Sequence, residues 1–146
     1  MPTDEATRTV LVRAPLDRVL ATIRDVAHQP DWVQEIRTVD VLESGADGLP
    51  AVAHVTASAP VGTDEYTLAY EHRDDGMSWT LVKGRLQTGQ DASYTLSAVD
   101  PGSTEVRFDL RISHNLPLPG FLRRKVIGDL VEHNVTGLQR HLEGGG

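Results

Sequence analysis

The stretch that most restricts this chain runs from Pro119 to Leu142, where the pattern predicts one long helix. At about 100° per residue, Leu122, Val126, Ile127, Leu130, Val131, Val135, Leu138 and Leu142 fall on one broad arc. Lys125, Asp129, Glu132, Thr136, Gln139 and Glu143 fall opposite. Two polar residues interrupt the arc: Asn134 near its middle, and His141 beside Leu130. A helix with so wide an apolar face draws most of its stability from packing. The rest of the chain must therefore supply a large apolar surface to wrap it.

That surface reads as a sheet. Ala6 to Arg13 alternates around Val10 and Val12 as a first strand. Pro15 suits the first turn of a helix with an apolar stripe of Leu16, Val19, Leu20 and Ile23. His28 to Val33 reads as a second short helical turn, with Trp32 plugging the seam between helix and sheet. Strands are then expected over Ile36–Glu43, Ala51–Ala59, Thr63–Arg73, Met77–Lys83, Asp91–Val99 and Thr104–Asn115. Between them lie turn clusters at 44–48, 74–76 and 100–103, a break at Pro60-Val61-Gly62, and a connection from Gly84 to Gly89. One strand, two short helices, six strands and a long helix predict an α+β domain of seven antiparallel strands with one helix on a face. Residues 1–146 are expected to form one domain, with 1–5 and 144–146 flexible.

Alternation sorts the strand faces. Val106, Phe108, Leu110, Ile112 and His114 share one face, and so do Tyr66, Leu68, Tyr70 and His72. Trp79 and Leu81 form a third inward row, and Tyr94 and Leu96 a fourth. Ala53, Val55, Ala57 and Ala59 make a wall of small side chains. Small residues on one wall and aromatics on another predict unfilled space inside.

Composition removes several classes of function. A formal net charge of −7 argues against a nucleic-acid partner. With no cysteine there is no disulfide, thiolate nucleophile or zinc–thiolate site, which suits a cytoplasmic location. The acidic start, Met1 to Glu5, does not read as a signal peptide, and no stretch approaches the apolar length of a membrane span. No histidine–carboxylate spacing matches a metal motif, and no nucleophile elbow or phosphate loop is present. No metal, cofactor or stable membrane insertion is expected, and the assembly is left open between monomer and weak dimer.

Several phrases carry a family likeness along nearly the whole chain. They are Val12-Arg13-Ala14-Pro15, Asp25-Val26 followed by Pro30-Asp31-Trp32-Val33, and Val39-Asp40-Val41-Leu42-Glu43. Further along come Ser78-Trp79-Thr80-Leu81, Tyr94-Thr95-Leu96, Gly102-Ser103-Thr104-Glu105-Val106, and the helix after Leu118-Pro119-Gly120. In order and spacing the chain resembles the START-like, helix-grip superfamily of polyketide cyclase/dehydrase and lipid-transport proteins, most of all its small single-domain actinobacterial members. The resemblance implies a curved sheet gripping the last helix, with an apolar cavity between them. It implies a mouth formed by Pro60-Val61-Gly62, Gly84 to Gly89 and Leu116 to Gly120. Members bind lipids, sterols, quinones, hormones or polyketides, and some catalyse cyclisation or dehydration.

Asn134 is the sharpest candidate for a ligand contact, because a primary amide on an apolar face must find a partner. It is read either as orienting a ligand or as fixing helix register through a strand carbonyl or buried water. Tyr66, Tyr70 and Tyr94, with Trp79, Phe108, Leu110, Ile112, Ile127 and Leu130, are expected to line the cavity. Arg123 is read either as greeting an anionic ligand group or as part of a solvated basic patch with Arg124 and Lys125. His114 is either an acid–base group at the mouth or a solvated strand end. His141 suits the helix terminus, and His28, His54, His72 and His133 read as peripheral. In the resembling cyclases, inward tyrosine with arginine handles phenolic substrates, yet no arginine lies on the inward strand rows here. The leading expectation is a binding module for a small hydrophobic molecule, such as a lipid, polyketide or isoprenoid. The alternatives are a cyclase or dehydratase using His114, Tyr70 or Tyr94, and a protein-interaction or quinone-chaperone role through 116–125.

Overall fold

The first strand and the last helix pack against each other at one edge of a single sheet. The structure, a computed structural model, describes residues 3–59 and 62–144. Seven strands run β1 (Thr3–Val12), β2 (Ile36–Ser44), β3 (Pro50–Ala59), β4 (Gly62–Arg73), β5 (Gly76–Gly84), β6 (Gln87–Asp100) and β7 (Ser103–His114). Their spatial order is β1-β7-β6-β5-β4-β3-β2, antiparallel throughout. Helix α1 (Leu16–Arg24) and a 3₁₀ turn (Val26–Asp31) carry the chain from one edge strand to the other. Helix α2 (Gly120–Gly144) closes the grip, packing on β1 and β7. No helix among the described residues is long and apolar enough to cross a membrane.

Local sequence explains the joints. Pro15 takes extended backbone immediately before α1, with φ −61° and ψ 151°, so its fixed ring torsion leads into the helix without losing a hydrogen bond. The β6–β7 hairpin turns on Pro101-Gly102, where the Gly102 N–H donates to the Asp100 carboxylate at 2.9 Å. The buried Thr104 hydroxyl donates to the Ala14 carbonyl at 2.8 Å, tying the start of β7 to the entry of α1.

Two boundaries differ from the sequence reading. Residues 3–5 are not loose: Thr3, Asp4 and Glu5 pair with Ser113, Ile112 and Arg111 of β7, whose backbone groups would otherwise lack partners on that side. Strand β6 begins four residues earlier than alternation suggests. The Gln87–Gly89 register shift obscures the period-2 pattern there. Pro60, Val61, Gly145 and Gly146, on which the break and the tail expectation partly rest, lie outside the described residues.

On α2 the buried residues are Ile127, Val131, Asn134, Val135, Gly137, Leu138 and Leu142. Leu122 and His141 do not share that face; both are exposed. His141 falls one residue before Leu142, which turns inward in its place. Gly137 is inward for a steric reason: a Cβ built there would lie 1.8 Å from the Trp32 carbonyl oxygen. Trp32 therefore meets the helix through its backbone, while its side chain is buried in the core.

Candidate functional site

Four aromatic rings from neighbouring strands form the cavity's inner wall and backing. Tyr94 and Phe108 stack at 4.6 Å between centroids, and Trp79 lies 5.7 and 5.8 Å from them. Tyr70 tilts against Trp79 at 6.0 Å. In front of this group, between sheet and α2, lies a cavity of about 360 Å³. Its apolar wall includes Val55, Ala57, Leu68, Trp79, Phe108, Leu110, Ile112, Ile127 and Leu130. Of the three mouth segments expected, the second lines it through Leu86 and Gln87 and the third through Leu116 and Leu118, while Ala59 lines it just before the first.

Polar groups enter this wall at three places. In the first, Trp79 Nε1 donates to Gln90 Oε1 at 2.7 Å, Gln90 Nε2 donates to Gln87 Oε1 at 2.6 Å, and Gln87 Nε2 donates to Asp64 Oδ2 at 3.0 Å. Asp64 also accepts the N–H groups of Glu65 and Leu86, so a buried carboxylate is held by three donors and fixes the β5–β6 hairpin. In the second, Asp4 accepts from Arg123 Nε at 3.1 Å and faces His114 Nε2 at 3.5 Å. Arg123 also donates to the Leu118 carbonyl. In the third, His133 Nδ1 and Glu35 Oε2 lie 2.5 Å apart, while Glu35 Oε1 is buried without a partner among the described residues.

These placements sort the residues singled out by sequence. Asn134, Tyr66, Trp79, Phe108, Leu110, Ile112, Ile127, Leu130 and Arg123 line the cavity. Tyr70 and Tyr94 do not; they stand behind its wall. Asn134 Oδ1 accepts the Tyr94 hydroxyl at 2.5 Å, a side-chain partner rather than a strand carbonyl, and its amide NH₂ has no protein acceptor among the described residues. Arg123 is half-buried and not free, because Asp4 already holds it. His114 is not a solvated strand end: it is 7% exposed, and its Nδ1 accepts the Leu116 N–H at 3.1 Å. His133 is not peripheral but part of the cavity wall. His54 and His28 pair with Glu65 and Asp25 near the surface, and His72 Nε2 lies 2.7 Å from the Pro50 carbonyl.

The residues missed by sequence are Asp4, Asp64, Gln90, Gln87 and Glu35. Period 2 held a signal for three of them. Asp64 stands two residues before Tyr66, Gln90 two before Ala92, and Asp4 two before Ala6. Glu35 precedes β2 outside any repeat, so nothing local marks it.

Burial raises the ionisation of all three tyrosines far above the ordinary value of 10.0. For Tyr94 the hydrogen bond to Asn134 opposes that rise and is outweighed by burial. Replacing Asn134 with leucine strands the Tyr94 hydroxyl in the core. The expected cost is about 1–3 kcal/mol in chemical denaturation. Adding Tyr94→Phe should recover part of it, and a double variant no more stable than Asn134→Leu alone would contradict the pairing.

A sheet gripping a helix across an apolar hollow defines a ligand-binding architecture. Residues 3–143 match the family described as polyketide cyclase / dehydrase and lipid transport, and the chain belongs to that family. A START superfamily protein from Mycobacterium smegmatis is similar at 24% identity and a TM-score of 0.88, over 95% of this chain and 97% of the other. The Zhui aromatase/cyclase from Streptomyces sp. R1128 is similar at 15% identity and a TM-score of 0.77, over 99% of each chain. A protein from Thermus thermophilus is similar at 19% identity and a TM-score of 0.76, over 97% of each. At these identities the likeness is one of fold. Comparison with curated proteins gives no match.

Proposed function

We propose that this protein is a binding module that holds one small hydrophobic molecule between the sheet and α2. The observation that carries this reading is the 360 Å³ cavity with its largely apolar wall. Cavities of this size and lining take small organic molecules, with a few polar groups setting orientation. Burial of apolar ligand surface supplies roughly 25 cal/mol per Å². Among the wall residues, Asn134, Tyr66 and Trp79 each carry a polar atom. The partner is a free small molecule and neither nucleic acid nor a stably inserted membrane. The chain works as one domain, in the cytoplasm, as a monomer or weak dimer.

A cyclase reading draws on the similar Zhui aromatase/cyclase. Against it, the His114 Nδ1 already accepts a backbone N–H, and Tyr70 and Tyr94 stand outside the cavity wall. An interaction or chaperone role predicted a solid interior, which the cavity opposes.

Native mass spectrometry of protein purified from its own host tests the reading. The expected spectrum shows a species heavier than the bare chain that loses a small apolar molecule on denaturation. A bare chain that also fails to take up hydrophobic probes would overturn it.

A further inference from the structure

Resting on that reading, we infer that Gln29 and Asn134 form a polar subsite in the cavity for a neutral head group that accepts and donates through neighbouring atoms, as a carboxamide or lactam does. Both side chains are more than nine-tenths buried, at 8% and 5% exposure, and both line the cavity. Gln29 comes from the 3₁₀ turn and Asn134 from α2. They meet at one atom. The Tyr94 hydroxyl donates to Asn134 Oδ1 at 2.5 Å, and the Gln29 carboxamide acts on the same hydroxyl as a second hydrogen-bond partner. The Gln29 main chain is pinned as well, since its carbonyl accepts the N–H groups of Trp32 and Val33 at 3.1 and 3.0 Å.

Proton counting fixes what this pair offers. A hydroxyl has one proton to give, and Tyr94 gives it to Asn134. Gln29 can then only donate to the hydroxyl oxygen. Left over are the Asn134 NH₂ and the Gln29 carbonyl oxygen, one donor and one acceptor. Turning both amides round exchanges the two roles and leaves the same remainder. Among the described residues, the side-chain atoms sealed away without a partner belong to Arg24, Glu35, Tyr70 and His72. The free ends of Gln29 and Asn134 are not among them, so they open onto the cavity that both residues line. The other two wall glutamines differ: Gln90 and Gln87 are each engaged at both ends, by Trp79, by one another and by Asp64. A ligand with a carbonyl alone leaves the acceptor of the pair unpaired when it displaces water, and that omission costs affinity. A carbonyl with an N–H on the same carbon satisfies both ends.

The test compares naphthalene, 2-acetonaphthone and 2-naphthamide by calorimetric or fluorescence titration. The ketone and the amide share a shape and a carbonyl and differ by a methyl group against an NH₂. Naphthalene reports the hollow without either bond. 2-Naphthamide is expected to bind about tenfold tighter than 2-acetonaphthone, as one hydrogen bond to a buried acceptor allows. Gln29→Met keeps the length of the side chain and leaves the Tyr94–Asn134 bond in place. In that variant the amide and the ketone should bind within about twofold of each other. A ketone that binds as tightly as the amide in the unaltered protein, or a preference for the amide that survives Gln29→Met, overturns the inference while leaving the cavity reading intact. Failure of all three to bind removes the cavity reading and this inference with it. The comparison within the unaltered protein decides the matter even if the methionine variant does not fold.

Discussion

Raising the pH above 10 is expected to unfold this protein and to ionise its tyrosines in the same step. Tyr66, Tyr70 and Tyr94 are the only tyrosines in the chain, and all three are buried. Burial raises each of them from an ordinary value of 10.0, because the phenolate would lose its hydration. In the unfolded chain they ionise near 10, while the native state keeps its protons. The unfolded state then binds fewer protons, so stability falls as pH rises above 10 and is untouched below it. Each group contributes about 1.4 kcal/mol per pH unit, roughly 4 kcal/mol per unit for the three. A domain stable by about 5–15 kcal/mol therefore unfolds within a few pH units. Tyrosinate absorbance and far-ultraviolet circular dichroism followed together are expected to change in one cooperative transition. Phenolate appearing near pH 10 in a protein that keeps its fold would show that the rings are open to water.

Gly137→Ala is expected to cost about 3 kcal/mol, at the upper end of overpacking in a closed core. The added methyl would sit 1.8 Å from the Trp32 carbonyl oxygen, and an atom of the main chain cannot swing aside as a flexible side chain does. Helix α2 must lift from the segment after the 3₁₀ turn, where Val33, a wall residue of the cavity, is also held. At this chain length the melting temperature should drop by roughly 10 °C. Gly128→Ala is the matched control. It lies on the exposed side of the same helix with nothing near its built Cβ, so alanine there should stabilise by about 0.5–1 kcal/mol. Equal effects from the two substitutions would contradict the close approach at residue 137.

The sequence showed the architecture clearly because both periodicities are strong. The arc from Val126 to Leu142 fits a helix, and the rows through Phe108, Tyr70 and Leu96 fit strands with one face buried. It showed the apolar wall for the same reason. It did not show the polar part of the site, because that part is made by register and charge pairing. Gln87 lies opposite His114 across a bulge, and Asp4 reaches His114 and Arg123 from the far end of the chain. Alternation tells which face a residue takes and says nothing of which residue from another strand it will meet. Arg123 illustrates the limit: its place near the start of the long helix was readable, but the carboxylate that occupies it was not. His133 and Glu35 meet across a separation of 98 residues, with no local pattern at either end.

Binding of a neutral polyaromatic fluorophore, N-phenyl-1-naphthylamine, to the unaltered protein and to Ala57→Phe tests the hollow itself most directly. Ala57 is a buried wall residue, so the added ring fills part of the 360 Å³ without removing any hydrogen bond. A ligand-holding hollow predicts saturable binding at one site per chain, at least tenfold weaker binding to the variant, and nearly unchanged melting. No binding to the unaltered protein, or equal binding by both, would contradict it.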